Sequence, residues 1–331
     1  MDRDTANGCR WDGLGTGHYE SWFQRANHPT RPLAFWIRYT LFIPRGRPQD
    51  AAGERWAVWF DGEAGRITAV KDVVPYARCR TAGRGLDVQI ADAVLDADQL
   101  QGAAACRGHE LSWALSYTSP EAPLLLLQES MYTAGFPRAK ALVGSPLAVY
   151  TGTVTVDGVE QRINGWLGSQ NHNWGSRHTD QYAWVQVAGF DDAPDSFLEL
   201  GIAKVKLAGP IHTPWMTPIV LRHKGRELKF NALGTTLRNI GRYGLFYADF
   251  SGSSEDGTIS GHVDAPAAAF VGLPYDNPPG GRKTCLNTKI ACCAVTFTPR
   301  GGAPVTLRTA HRAAFEILTD ADDHGVPVLG V

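Results

Sequence analysis

The sequence has no apolar run approaching the roughly 18 residues of a membrane span, which excludes an integral membrane segment as an expectation. Nor is there a basic-then-apolar leader after Met1-Asp2-Arg3-Asp4, so a cytoplasmic location is expected. Charge is sparse and balanced. Charged residues make up 20% of the 331, with 32 Lys and Arg against 33 Asp and Glu, which removes the electrostatic footprint of a nucleic-acid or anionic-membrane binder. The six cysteines (9, 79, 106, 285, 292 and 293) include no Cys-x-x-Cys pair and do not cluster with His at ligand spacing. No metal site is expected, and the cysteines read as reduced intracellular thiols. No Gly-rich loop joins a strand to a helix, so Rossmann and P-loop cofactor sites are unsupported. Gly252-Ser253 lacks the Gly-x-Ser-x-Gly setting of a classical hydrolase. Helical periodicity is also scarce, with short turns of helix expected only near Tyr19–Arg25 and around Asp92–Gln101.

Strand patterning fills the space that helix leaves. Phe35, Ile37, Tyr39, Leu41 and Ile43 alternate with Trp36, Arg38, Thr40 and Phe42 up to Pro44. Hairpins are expected at Asp61-Gly62, at Asp157-Gly158 and at Lys224-Gly225, because these residues tolerate the positive φ of tight turns. Further strands are expected at Tyr182–Val187, Phe197–Lys206, Gly244–Phe250, Cys285–Phe297 and Val305–Ile317. Such a series of short strands and Gly-bearing turns predicts an all-β sandwich or barrel. The chain length suits two domains, or one large β-rich one. Trp56 to Lys71, with Pro75, is echoed by Tyr182 to Lys204, with Pro210. The echo favours two similar barrels with a boundary near Asn164–Gly175. The domains are therefore expected at 1–165 and 166–331. Ten Trp, all between Trp11 and Trp215, fit large apolar cores or a pocket for an apolar ligand.

Gly165-Trp166-Leu167-Gly168-Ser169-Gln170-Asn171-His172-Asn173-Trp174-Gly175 is the least generic stretch, mixing amide, imidazole and indole groups between two strands. Asn171-His172-Asn173-Trp174-Gly175, followed by Tyr182-Ala183-Trp184-Val185-Gln186, resembles the signature of the two-domain lipocalin-like superfamily. That group contains the carotenoid 1,2-hydratases, the tocopherol cyclases, the AttH-like proteins and fungal Diels–Alderases. Gly17 to Phe23, leading into Ala34 to Tyr39, resembles the opening of AttH-like members. The resemblance implies two calycin-type antiparallel β-barrels packed side by side. It also implies a ligand cavity, long apolar isoprenoid or polyketide substrates, and no redox cofactor. In the hydratases a His-x-Trp pair and a later Tyr-x-Asp pair are held to be catalytic. His172-Asn173-Trp174 matches the first, while Tyr247-Ala248-Asp249 lies further downstream than the hydratase pattern places the second.

The chemistry is arguable from the residues as well. Hydrating or cyclising an unactivated alkene passes through a carbocation. Such a site needs a carboxylic acid kept protonated by burial, aromatic faces, and a polar group that places water or takes the proton. Tyr182, Trp184 and Gln186 share one strand face. Glu199, among Phe197, Leu198 and Leu200, is one candidate acid, and Asp249, between Ala248 and Phe250, is the other. The catalytic candidates are thus His172, Trp174, Glu199 and Asp249; the substrate-binding candidates are Asn171, Asn173, Tyr182, Trp184, Gln186 and Tyr247. Each has a plainer reading. His172 can be satisfied by backbone, the indoles by core packing, the asparagines by tying down a loop, and both acids by facing solvent. His178 reads as part of a solvated turn. Asn287 and Lys289 are polar positions of undetermined facing. Three functions remain open: a cofactor-independent hydratase or cyclase, a carrier of an apolar metabolite, or an accessory protein whose pocket has collapsed. Oligomeric state is not legible.

Overall fold

The alternation that begins at Phe35 divides one strand between two cores. In the computed structural model, which describes residues 1–208 and 211–330, strand Leu33–Ile43 sends Phe35, Ile37, Tyr39, Leu41 and Ile43 into an apolar core enclosed by its own sheet. Ala34 and Trp36 point the other way. They join Trp56, Val58 and Phe60 against Val271, Leu273, Tyr275, Cys285 and Leu318 of a second sheet. A strand buried on both faces holds its place only if each face finds its own partner.

The first sheet is antiparallel. Its strands run in the order Arg66–Pro75, Ala52–Asp61, Leu33–Ile43, His18–Asn27, Val159–Gly175, Ala139–Val156, His109–Thr118 and Gln99–Cys106, ending in three short strands between Cys79 and Asp96. It curls until Arg66–Pro75 packs on Gln99–Cys106 and His109–Thr118. The second sheet runs Arg226–Phe230, Ile219–His223, Phe197–Lys204, Gln181–Ala188, Val305–Thr319, Arg282–Pro299, Gly257–Asp264, Tyr247–Ser254 and Ile240–Tyr243. It curls in turn, bringing Arg226–Phe230 onto Tyr247–Ser254 around a core that includes Val185, Leu200, Phe250, Phe270 and Phe315. The only α-helices among the described residues are Arg3–Asn7 and Leu233–Arg238. The architecture is the all-β pair of side-by-side antiparallel barrels. No helix among the described residues is long and apolar enough to cross a membrane.

The expected hairpins form. Asp157 and Gly158 take φ of 49° and 82°, and Lys224 and Gly225 take 50° and 71°, the paired positive values of a two-residue type I′ turn. Both segments expected to be helical are extended instead. Tyr19–Arg25 lies in strand His18–Asn27, whose residues are buried on both faces and so show no period of two. Asp92–Gln101 folds into strands Ala93–Asp96 and Gln99–Cys106, joined by a turn in which the Asp96 carboxylate accepts the Asp98 and Gln99 backbone N–H groups at 3.1 and 3.0 Å. Both halves of the sequence echo are hairpins; Pro210 lies outside the described residues.

The stretch Gly165–Gly175 is a strand rather than a loop. It belongs to Val159–Gly175, which pairs with His18–Asn27 on one side and Ala139–Val156 on the other. A division of the chain at 165/166 would cut this strand; the chain leaves the first sheet at Gly175 and enters the second at Gln181. Gly168 is where the pairing is tightest, since a Cβ there would lie 1.8 Å from the Arg25 carbonyl oxygen. Gly168→Ala is expected to cost about 1–3 kcal/mol through forced strand displacement. Urea denaturation checks this, and an unchanged midpoint would show that the strands separate freely.

Candidate functional site

Strand alternation decides which side chains face the space between the sheets. In Gln181–Ala188, Ala183, Val185 and Val187 enter the second core. Tyr182, Trp184 and Gln186 therefore face the first sheet. In Phe197–Lys204, Leu198 and Leu200 enter that same core, which turns Glu199 toward the first sheet. Gln186 and Glu199 sit directly opposite one another in the ladder. From the first sheet, Asn171 and Asn173 share one face of their strand, and His172 and Trp174 the other.

Between these faces lies a cavity of about 240 Å³. Phe23, Trp36, Tyr182 and Trp184 form aromatic wall, and Asn171 and Glu199 supply polar groups. Glu199 is 3% exposed. Its two oxygens accept the Trp184 indole N–H at 2.7 Å and a Gln186 amide hydrogen at 2.9 Å. Burial pushes the Glu199 carboxyl up to about 7, against the opposing pull of those two hydrogen bonds and of Arg25. Gln186 is pinned in turn. Its amide donates a second bond to Asn171 Oδ1 at 2.8 Å, and its oxygen accepts from Ser169 Oγ and Arg25 Nε, both at 2.7 Å. Arg25 can only donate, so the Gln186 oxygen must face it and the amide cannot be flipped. Asn173 lines the cavity with an Oδ1 that finds no donor.

A second buried polar group lies alongside. Lys289 Nζ pairs with Glu316 at 2.7 Å, Asn287 Nδ2 donates to the same oxygen at 2.7 Å, and Lys289 sits 5.4 Å from the Trp184 ring centre. Asn287 and Lys289, ambiguous in the sequence, are thus fully buried at the junction of the sheets.

His172 and Trp174 face the end of the first barrel. His172 stacks on Trp22 at 4.8 Å and packs on Trp174 at 4.6 Å. Both of its ring nitrogens are engaged, Nδ1 with the Ala6 carbonyl and Nε2 with Glu20, each at 2.8 Å. Glu20 also accepts from His18 Nε2 and from the Arg10 and Trp11 backbone N–H groups. Burial opposes ionisation of Glu20, but the His172 and His18 hydrogen bonds outweigh it and pull the carboxyl down to about 2. His172 contributes to the cavity wall, while Trp174 is under the Arg10 guanidinium at 4.7 Å. Tyr247 and Asp249 lie elsewhere, exposed on the second barrel, with Asp249 accepting from His262 at 2.7 Å. Of the two candidate acids, only Glu199 reaches the cavity.

Several participants escape a reading of the sequence alone. Arg25, Arg38, Glu20 and Glu316 are buried charges on strands, and nothing local in sequence marks a strand charge as buried. His178 is not in a solvated turn, because its ring packs 4.0 Å from Tyr19 and burial, helped by Arg38, holds it neutral, down to about 3. Among the described residues no group of three or more His, Cys, Asp or Glu is placed to hold a metal ion.

No family model matches the chain. An uncharacterised protein of Mycobacterium tuberculosis, found in strains CDC 1551 and H37Rv, is 24% identical over 282 residues, which cover 85% of this chain and 82% of the relative. Solved structures align along almost the whole length. An AttH protein of Nitrosomonas europaea superposes with a TM-score of 0.56 at 13% identity, covering 96% of this chain and 99% of that one. Kievitone hydratase of Nectria haematococca gives 0.58 at 11% identity, covering 97% of each. CghA gives 0.59 at 14% identity, covering 98% and 93%. The chain shares its two-barrel fold with these three solved structures.

Proposed function

We propose that the protein is a cofactor-independent hydratase or cyclase acting on an apolar, isoprenoid-like or polyketide substrate, with Glu199 as general acid. The observation that carries this reading is a buried carboxyl on the wall of an aromatic-lined cavity, in surroundings that favour its protonated form near neutral pH. Trp184 and Gln186 each take one acceptor site of Glu199, which leaves the acid proton free to point toward an alkene in the cavity. Protonation would generate a carbocation. The Trp184, Trp36 and Tyr182 faces would stabilise it by on the order of 1–2 kcal/mol each when desolvated. Asn171 and Asn173 would hold a water or accept hydrogen bonds from substrate hydroxyl groups. His172, with both nitrogens committed, supports the wall rather than the proton transfer. The neighbouring hydratase gives the reaction class precedent on this fold, as analogy.

The test begins with native mass spectrometry and solvent extraction of purified protein, followed by incubation with the extracted apolar compound. Wild-type protein is expected to convert it, with a gain of one water or with isomerisation at constant mass. Glu199→Gln is expected to retain the ligand but lose about 10²–10⁴-fold in rate, the usual contribution of a general acid. A ligand recovered unchanged from wild type and variant alike would overturn catalysis and select the second reading, a carrier of an apolar metabolite.

A further inference from the structure

Among the described residues Arg38 makes no ion pair with a carboxylate. It lies on strand Leu33–Ile43, opposite Phe23 and Trp56 in the two flanking ladders, and is 5% exposed on the cavity wall. One Nη2 hydrogen goes to Ser21 Oγ at 2.7 Å, and the guanidinium carbon sits 4.6 Å over the Tyr275 ring. Its Nε–H has no acceptor, and among the described residues it makes no ion pair. The other buried or nearly buried arginines are placed differently. Arg312 bonds Asp191, and Arg55 bonds Asp72 and Asp92. Arg25 spends its donors on Gln186, Asn27 and the Arg312 carbonyl. The carboxylates that act on Arg38 through space, Glu54 and Glu316, are already paired with Lys71 at 2.9 Å and Lys289 at 2.7 Å.

Burial opposes the Arg38 charge, and Tyr275, Glu54 and Glu316 hold it only through space, without a direct ion pair; this cation borders a cavity. The rest of the cavity does not neutralise it. Lys140 adds a second cation, bonded among the described residues only to the Pro137 carbonyl. Glu316 is offset by Lys289, and Glu199, raised to about 7, keeps its proton below that pH. His178, between Tyr19 and Tyr275, is uncharged. The wall around Arg38 thus presents a guanidinium fork edged by aromatic and hydroxyl groups, a surface suited to planar carboxylate recognition.

We propose that the ligand of this cavity is an apolar molecule carrying one carboxylate, held by Arg38, with its apolar body against the aromatic wall that bears Glu199. The assignment rests on the apolar-ligand reading of the cavity and narrows it from hydrocarbons to acids. Isothermal titration calorimetry at pH 6, where Glu199 keeps its proton and a fatty-acid carboxylate is ionised, tests it on the whole protein with decanoate, decanamide and methyl decanoate. Decanoate is expected to bind at least about 10-fold tighter than the two neutral analogues, as a charge-assisted hydrogen-bonded pair implies. Arg38→Met is expected to bring decanoate down to the level of decanamide, and Arg38→Lys to restore part of the preference. Circular dichroism confirms that each variant is folded. Equal binding of all three probes by wild type, or a preference for decanoate that survives Arg38→Met, would overturn the carboxylate assignment and leave the apolar cavity intact. Failure of all three to bind would overturn both.

Discussion

Glu20→Gln is expected to destabilise the fold by about 3–5 kcal/mol in equilibrium denaturation, the scale reached when an ionised group is removed from a buried hydrogen-bond network. Glu20 and His172 are both fully buried, and their hydrogen bond is 2.8 Å long. The His172 ring bonds the Ala6 carbonyl through Nδ1 and Glu20 through Nε2. A glutamine would turn an NH2 toward the donors that the Glu20 carboxylate now accepts from. Because Glu20 accepts the Arg10 and Trp11 backbone N–H groups, hydrogen exchange should show both amides losing protection. The dependence on pH has a definite sign. With its carboxyl pulled from the ordinary 4.5 down to about 2, Glu20 stabilises the fold fully above pH 4.5, and this contribution is lost as pH falls toward 2. The stability gap between wild type and Glu20→Gln should therefore narrow from pH 5 to pH 3. A gap of the same size at both would show that the carboxylate is not what matters.

The tight turns and the all-β class were legible because both have local causes: residues that accept positive φ, and apolar positions repeating every two. The strand His18–Asn27 was not, since Trp22 and Ala26 fill the first barrel while Tyr19, Phe23 and Arg25 face the second sheet. Burial on both sides erases the alternation that announces a strand. The same effect disguised Ser169 to Trp174 as a loop. The two candidate acids show what the sequence does and does not encode. Each has apolar neighbours at i±1, but in a strand those neighbours occupy the opposite face and say nothing of the acid's own surroundings. The informative positions are i±2. For Glu199 one of these is Phe197, fully buried, whereas Asp249 has exposed Tyr247 and partly exposed Ser251. Even that signal identifies only burial. The partner of a buried charge comes from the other sheet, as when Arg25 reaches Gln186 across 161 residues, and no local pattern specifies such a pairing.

Glu199→Gln is expected to flatten a pH dependence opposite in sign to that of Glu20. Two buried carboxyls separate because their donors differ: Glu20 receives two imidazoles and two backbone N–H groups, Glu199 only an indole and an amide. Raised from the ordinary 4.5 to about 7, Glu199 keeps its proton in the folded state over a range where the unfolded chain has released it. Its contribution is thus fully present below pH 4.5 and is lost as pH rises to 7, a swing on the order of 3 kcal/mol for a fully buried group. Wild type should therefore lose stability between pH 4.5 and pH 8 relative to Glu199→Gln. The variant, carrying a neutral amide at every pH, should match wild type at the acid end and exceed it at the alkaline end. That gain at the expense of turnover is the pattern of a residue kept for chemistry rather than for folding. Urea titrations of both proteins at pH 4.5, 6 and 8 measure the swing directly. Parallel curves would mean that the carboxyl ionises as it does in water, and the proposed general acid would lose its physical basis.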